Sequence, residues 1–400
     1  MSYPSLFVLF VQSDPESFNK IYETRFYSEA TTHFDFSIHS FPAFFFQHNE
    51  INVLLTQLRK YDRKINEIFD YLPGVVKDQY IKKSLIDEIQ FTNEIEGVLS
   101  TRKDIFNILE DIEKNGKEKR RLEGIVKKYQ LLMDKKNLKF TSSEDVRNLY
   151  DEMLYHEIEA DDPKKLPDGR IFRSGAVYVT RSDEKIIHEG VFPESNIIEM
   201  MNRALNVLND QNMDLYIRVA VFHYLFAYIH PFYDGNGRTA RFISSYSLLE
   251  ECTPILAYRL SMTIKENLSQ YLEAFKRTND ARNRGDLSTF VYEFLDIILT
   301  AYQKTELYAL EKKQLLEEYR KKMDVINLTA KEKSALFVLI QCALFHGYGM
   351  SCTELGEIIH FGKTKCRETL DQLVKKGWIE KKFIGKWIYY SAILEKIDRL

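Results

Sequence analysis

Within twelve residues, His230-Pro231-Phe232-Tyr233-Asp234-Gly235-Asn236-Gly237-Arg238-Thr239-Ala240-Arg241, the chain gathers an imidazole, a carboxylate, two glycines and two guanidiniums. An apolar helix carrying Val219, Val221, Phe222, Leu225, Phe226 and Ile229 must end at His230, because Pro231 cannot continue it. Gly235 and Gly237 permit positive φ, so that successive N–H groups can face one way as an anion-binding nest. A second helix, read as Arg241 to Glu250, follows the glycines and turns its positive end into the same loop. Arg238 and Arg241 are three apart and share one side of its first turn. Such a set suits a polyphosphate carrying a divalent cation. It is not a P-loop, since no GxxxxGK[ST] occurs.

The segment matches HPFx[DE]GNGRxxR at every fixed position. Ordinary composition would produce such a match at roughly one position in 10^11. On these residues the chain resembles the Fic family, over about residues 40 to 300. The resemblance implies an α-helical domain that moves AMP from ATP to a hydroxyl of a target protein. It makes His230 the general base, for which an ordinary imidazole pKa near ~6.5 is suited. It gives Asp234 a Mg²⁺ or Mn²⁺ ion bridging the α- and β-phosphates. The amides of Gly235, Asn236 and Gly237, with the Asn236 side chain, would form the anion hole of the α-phosphate. Arg238 would hold the β-phosphate and Arg241 the γ-phosphate. The hairpin Arg173–His188 is similar to the family's flap, with Val177 and Val179 gripping the target side chain and an edge strand pairing with its backbone. Asn283, in Asn283-Arg284-Gly285-Asp286, and Tyr271 resemble residues near the adenine.

Thr92-Asn93-Glu94-Ile95-Glu96-Gly97 fits the family's inhibitory pattern [ST]xxxE[GN]. Thr92 and Glu96 are i, i+4 and share a helix face. If that face packs on the loop, Glu96 can pair with Arg241 and withdraw it from the γ-phosphate. In relatives this glutamate can also position a water that removes AMP. His223, seven residues before His230, reads as a core histidine, because no carboxylate ligand lies at helical spacing beside it.

The elements that must position these residues are mostly helical. Apolar residues recur at helical spacing from Ile51 to Tyr71 and from about Lys77 to Glu96, with Leu72-Pro73-Gly74 between them and Gly97 behind. Ser100-Thr101-Arg102-Lys103-Asp104 reads as a cap and first turn. Residues 113–139, including Lys117-Glu118-Lys119-Arg120-Arg121, read as a solvated helix face or loop. One β-like stretch interrupts the helices, from Arg170 to Thr180 and on through a turn at Ser182-Asp183 to Lys185–His188. Helices follow at Asn196–Leu208 and Leu215–Ile229, and a long charged one at about Asp296–Met323. The run Leu6–Val11 reads as a buried strand. It has neither the flanks of a signal peptide nor the length of a membrane span.

The last seventy residues read as a winged helix-turn-helix: helices Ala330–Leu344, Ser351–Ile359 and Lys363–Lys376, then a wing at Trp378–Tyr390 turning at Ile384-Gly385-Lys386. Leu370, Leu373 and Val374 would pack inward. Residues 361–387 hold eight Lys or Arg against three acids. Lysines at the start of a recognition helix and on a wing lie where phosphates are met.

The 400 residues allow two to three domains. Hydrophobic residues at 44% and charged residues at 29% are those of a soluble globular chain. A net charge of −3 argues against a surface that binds nucleic acid throughout. The four cysteines have no CxxC spacing and read as free cytosolic thiols. The expected chain is therefore mainly α: an N-terminal region with the inhibitory helix (1–110), a Fic-type catalytic domain with a small β-hairpin flap (111–300), a helical connector (301–325) and the winged helix (326–400). The expected activity is that of a cytoplasmic, self-inhibited protein adenylyltransferase acting on Ser, Thr or Tyr of other proteins and on itself, with homodimers common among relatives and no membrane partner. The alternative is a DNA-binding regulator whose Fic domain senses nucleotide. The base His230 favours the enzyme, since a sensor needs no base.

Overall fold

The computed structural model describes residues 4–113, 120–133, 138–180, 186–345, 349–384 and 387–399. The apolar run near the N-terminus is not a strand but a helix, α1 (Leu6–Gln12), because the Ser5 hydroxyl caps it by accepting the Val8 N–H. A run apolar on every side carries no periodicity to tell the two apart. Helix α2 (Pro15–Phe26) follows, with the Asp14 carboxylate accepting the Glu16 and Ser17 N–H groups and Pro15 preset for a first turn. A hairpin that the sequence reading missed comes next, β1 (Thr31–Ile38) and β2 (Phe41–Phe46). Phe44 of β2 shares a buried cluster with Leu6 and Phe18.

Helices α3 (Asn49–Asp70), α4 (Gly74–Ile95) and α5 (Arg102–Glu113) lie where periodicity places them. The cap of α5 is Thr101, whose hydroxyl accepts the Asp104 N–H at 3.1 Å. The 113–139 region departs from expectation. Helix α6 (Glu123–Met133) buries Ile125, Val126, Tyr129 and Leu132, so it is a core helix; Lys127 is exposed, whereas Lys128 is buried and pairs with Glu152. Lys117, Glu118 and Lys119 of the charged run lie outside the described residues.

Helix α7 (Ser143–Tyr150) opens on a Ser142–Asp145 capping box. It runs into a π-helical stretch, Asp151–Tyr155, and then α8 (His156–Asp161). Strands β3 (Tyr178–Thr180) and β4 (Ile186–Glu189) pair antiparallel. The hairpin is shorter than expected because residues 170–172 are held otherwise. Their three N–H groups donate to the Glu194 carboxylate at 2.7–3.0 Å. The expected turn Ser182-Asp183 and Lys185 lie outside the described residues.

Helix α10 (Leu215–Ile229) is buried on nearly every side and packs against α9 (Glu194–Leu208) and α11 (Asn236–Leu248). Each of its fully buried Val, Leu, Ile and Phe side chains contributes roughly 1.5–3 kcal/mol. Behind them come α12 (Pro254–Ala257), α13 (Leu260–Glu266), α14 (Leu268–Asn279) and α15 (Ser288–Val325). Contacts group residues 1–62 with 87–302 as one compact unit and 63–86 with 303–400 as another.

In the second unit, α16 (Ala330–Phe345), α17 (Cys352–Ile358) and α18 (Lys363–Lys375) pack together. The antiparallel pair β5 (Ile379–Ile384) and β6 (Trp387–Ala392) follows, then α19 (Leu394–Asp398). Leu370 and Leu373 are buried and Val374 is half-buried. Gly385 and Lys386, at the tip of the expected wing, lie outside the described residues. No helix among the described residues is long and apolar enough to cross a membrane.

Asn283-Arg284-Gly285-Asp286 is bound into the fold. The Phe44 N–H donates to the Gly285 carbonyl at 3.0 Å and the Leu287 N–H to the Phe44 carbonyl at 2.8 Å, so β2 is stitched to this turn. Gly285 has φ +77° and a Cβ there would stand 2.4 Å from the Pro42 carbonyl oxygen. Gly285→Ala is expected to lower stability by roughly 1–3 kcal/mol. The check is a lower urea midpoint at unchanged slope.

Candidate functional site

The catalytic-type loop joins α10 to α11. His230 ends α10 in the left-handed region, φ 53° and ψ 60°, its N–H on the Phe226 carbonyl at 3.0 Å. Pro231 forces this exit. Phe232 then plunges into the core, stacked on Tyr150 with ring centroids 3.9 Å apart and edge-on to Phe172. This anchor fixes how far His230 and Asp234 stand from each other.

The Asn236 side chain is engaged with the main chain of the turn. Its oxygen accepts the Phe232 N–H at 2.9 Å and its amide donates to the Phe232 carbonyl at 2.8 Å, which closes the turn. Helix α11 starts at Asn236, five residues earlier than read from the sequence, so Gly237, Arg238 and Arg241 all sit on its first turns. The first N–H groups of a helix have no intrahelical partner. They and the dipole make this spot attractive to anions.

That spot faces a carboxylate. A Cβ on Gly237 would stand 2.1 Å from Glu96 Oε1, so Glu96 lies against the helix start at a place only glycine leaves open. Glu96 Oε1 accepts from Arg241 Nη2 at 2.8 Å. Thr92 completes the pairing, its hydroxyl taking Arg241 Nε at 2.8 Å and its carbonyl taking Nη2 at 3.0 Å. Gly97, φ +73°, ends α4 and lets the Val98 N–H return to the Asn93 carbonyl, which sets Glu96 at the last turn.

Arg238 is buried and donates to Glu157 Oε1 at 2.8 Å, with Asp234 Oδ1 3.6 Å away. Asp234 also meets Lys165 Nζ at 3.2 Å and accepts the Gly235 N–H at 2.6 Å. Lys165 and Glu157 were not singled out from the sequence. Lys165 ends a short 3₁₀ turn and Glu157 follows a π-helical stretch, and neither has a spacing that links it to the loop.

His230 departs from the ordinary imidazole expected of it. Burial, then His188 and Arg173, push its pKa down to about 4, with Glu96 opposing weakly. It rests as the neutral base. His223 is a core histidine, as expected, with its two ring nitrogens 2.9 Å from Ser244 Oγ and 2.7 Å from Tyr271 Oη. Tyr271 is thus held inside the core near Arg241. Asn283 is fully buried and donates to the Asp286 carbonyl at 2.6 Å. Val177 and Val179 are half-buried, and Val177 stands beside Gly190, which borders His230. A buried acid on the inhibitory face, Glu88, lies one turn before Thr92. It accepts the Ser261 N–H and hydroxyl, and burial pushes its pKa up to about 7. The arrangement offers a neutral base, a helix-start anion site, three cations and two partly exposed carboxylates, Glu96 and Asp234.

Residues 140–248 match the Fic/DOC family. A protein adenylyltransferase fic-1 of Caenorhabditis briggsae is 28% identical over 144 residues, 34% of this chain and 26% of that protein. A ribonucleoside-diphosphate reductase small chain of Ostreid herpesvirus 1 is 34% identical over 130 residues, 31% of this chain and 19% of that protein. These matches span about a fifth to a quarter of the relatives' own length. The crystal structure of a Fic family protein from Desulfovibrio desulfuricans G20 superposes with TM-score 0.51 at 18% identity, covering 86% of this chain and 96% of that one. The last comparison speaks for the fold. With the helical scaffold, the sealed Phe232 turn and the glycine-opened helix start in hand, the loop is that of a Fic/DOC domain, and this chain carries one.

Proposed function

We propose that the chain is a protein adenylyltransferase held inactive by its own helix α4. A Ser, Thr or Tyr oxygen of the target attacks the α-phosphorus of ATP and gives its proton to His230. The bond to the β-phosphate oxygen breaks, and pyrophosphate leaves. The amides at the start of α11 take up charge on the α-phosphate, and Arg238 and Arg241 bind the departing phosphates. The target backbone lies along the hairpin edge at Val177–Val179. A phenol or hydroxyl on a second copy of this chain is the first target expected.

One observation carries the reading: the Glu96 carboxylate rests against Gly237 and on Arg241, the place and the partner an ATP phosphate needs. With Glu96 there, a phosphate meets like charge and an occupied arginine. The same carboxylate is placed to orient a water for removal of AMP.

Asp234 is the group that would hold Mg²⁺. Its carboxylate is partly exposed, and among the described residues no group of three or more His, Cys, Asp or Glu forms a closed cage. A single carboxylate with room for phosphate oxygens and water fits the habit of Mg²⁺. When bound, the ion neutralises phosphate charge. The test of the activity is a labelled-ATP assay on Glu96→Gly protein. Label in the α-phosphate should become protein-bound and label in the γ-phosphate should not. The reverse result means phosphoryl transfer and ends the proposal.

A second reading, DNA binding by the tail, rests on α18 opening with Lys363 and Lys365 in its first turn. Acids are preferred there by the dipole, so a partner that rewards lysines is implied. Replacing both with Ala should weaken binding of the full chain to mixed duplex DNA. The log–log salt slope should flatten by roughly 1–2 units. Binding without salt dependence, or none at low salt, sends the tail to a protein partner.

A further inference from the structure

Arg173 is wholly inside the protein, yet among the described residues no carboxylate pairs with it. Its donors go to main-chain carbonyls instead: Nε to His230 at 2.9 Å, Nη1 to Gly175 at 2.5 Å, and Nη2 to Val191 at 2.7 Å and Ile229 at 3.5 Å. Its own N–H donates to the Pro231 carbonyl at 3.3 Å. The Val191 N–H returns to the Ile229 carbonyl at 3.0 Å. Three segments therefore meet at one guanidinium: the stem before β3, the strand exit after β4, and the turn that carries His230.

We propose that Arg173 is a positioning residue for the catalytic base, tying the stem of the hairpin to the carbonyls of Ile229 and His230 and so fixing the left-handed turn that aims the imidazole. A non-glycine residue with φ 53° needs surroundings that over-determine it. A planar fork that satisfies several carbonyls at once does that, and a point-charge ammonium cannot. The same knot joins the base to the strand on which the target would lie, so both reactants share one anchor. Gly190 shows how tightly it is built. A Cβ there would stand 2.6 Å from Arg173 Nη2 and 3.1 Å from His230 Cβ.

The inference rests on the proposed transfer for its kinetic readout and on titration for an independent one. Kinetics are read in the Glu96→Gly background. Arg173→Lys is expected to lower kcat about tenfold or more, with KM for ATP moved less than about twofold, since the phosphates are held elsewhere. Gly190→Ala, which strains the knot without touching Arg173's identity, should lower kcat in the same way. Titration is read by NMR on histidine-labelled full-length chain, with His230→Ala assigning the signal. The charged or titratable groups facing His230 are His188 on β4, Glu96 at the end of α4 and Arg173. In Arg173→Gln the His230 titration should move up by about one unit or more, and in Arg173→Lys it should not. Should Arg173→Gln fail to fold, Arg173→Lys and Gly190→Ala decide by kcat. Lower melting temperature with kcat within about twofold of the background in both overturns the proposal, because that is a structural role alone. If Glu96→Gly protein transfers nothing, the transfer reading fails by itself. The NMR spectrum then still decides: His230 ring shifts unchanged in both Arg173→Lys and Gly190→Ala overturn the positioning role.

Discussion

Replacing His230 with Ala lowers AMP transfer by about 10²–10⁴, the usual loss of a general base, while ATP binding stays within a few-fold. The separation is expected from the site's geometry. The groups proposed to bind phosphate are the start of α11, Arg238 and Arg241, all behind Gly235, whereas His230 stands on the far side of the Phe232 anchor. The experiment is run in the Glu96→Gly background, so that a loss is visible. Transfer within a few-fold of that background removes His230 from the role. The depressed pKa adds a second signature. With the imidazole at about 4, kcat/KM holds through the range in which ordinary histidines protonate and falls only as pH approaches about 4. A fall centred near 6.5 contradicts the buried setting. The sign for stability follows too. Between about 4 and the ordinary 6.5 the unfolded chain binds a proton that the folded one refuses, so this histidine makes stability rise with pH in that window.

Glu96→Gly raises transfer by roughly 5- to 150-fold, the span of a 1–3 kcal/mol coupling. Arg241 keeps its two bonds to Thr92 but loses the one carboxylate that competes with a phosphate. The helix start at Gly237 loses its neighbouring charge at the same time. The substitution should not unsettle the fold, because Glu96 is past the last residue of α4 and an acid there opposes the helix dipole. Glu96→Gln separates charge from bulk. It keeps a hydrogen-bond acceptor for Arg241 without the repulsion, so an intermediate rise is expected. Auto-modification in the presence of Mg²⁺ and of Mn²⁺ is the measurement. Label equal to the parent's with both ions rules Glu96 out as the brake.

Much of this site is local chemistry, and local chemistry is readable from a sequence. Pro231 must end α10, Gly235 can take a positive φ, and Thr92 and Glu96 must face one way because they are four apart. Those statements need no partner and hold in the structure. The long amphipathic helices are legible for the same reason, their buried faces repeating every three to four residues. The packing of Thr92 and Glu96 on Arg241 joins residues about 150 apart, and only the tertiary structure could decide it. The same is true of the groups that no spacing announces. Glu157 reaches Arg238 and Lys165 reaches Asp234 from segments without periodicity, and Arg173 acts through main-chain carbonyls that carry no sequence signal. Burial decided the rest: it moved His230 away from the ordinary imidazole range, turned Asn236 inward onto Phe232 and enclosed Tyr271 and Asn283. Leu6–Val11 became a helix because a Ser5 cap outweighs an apolar run without period. Spacing along the chain specifies which groups can face one way, whereas pairing and desolvation depend on what the folded chain brings against them.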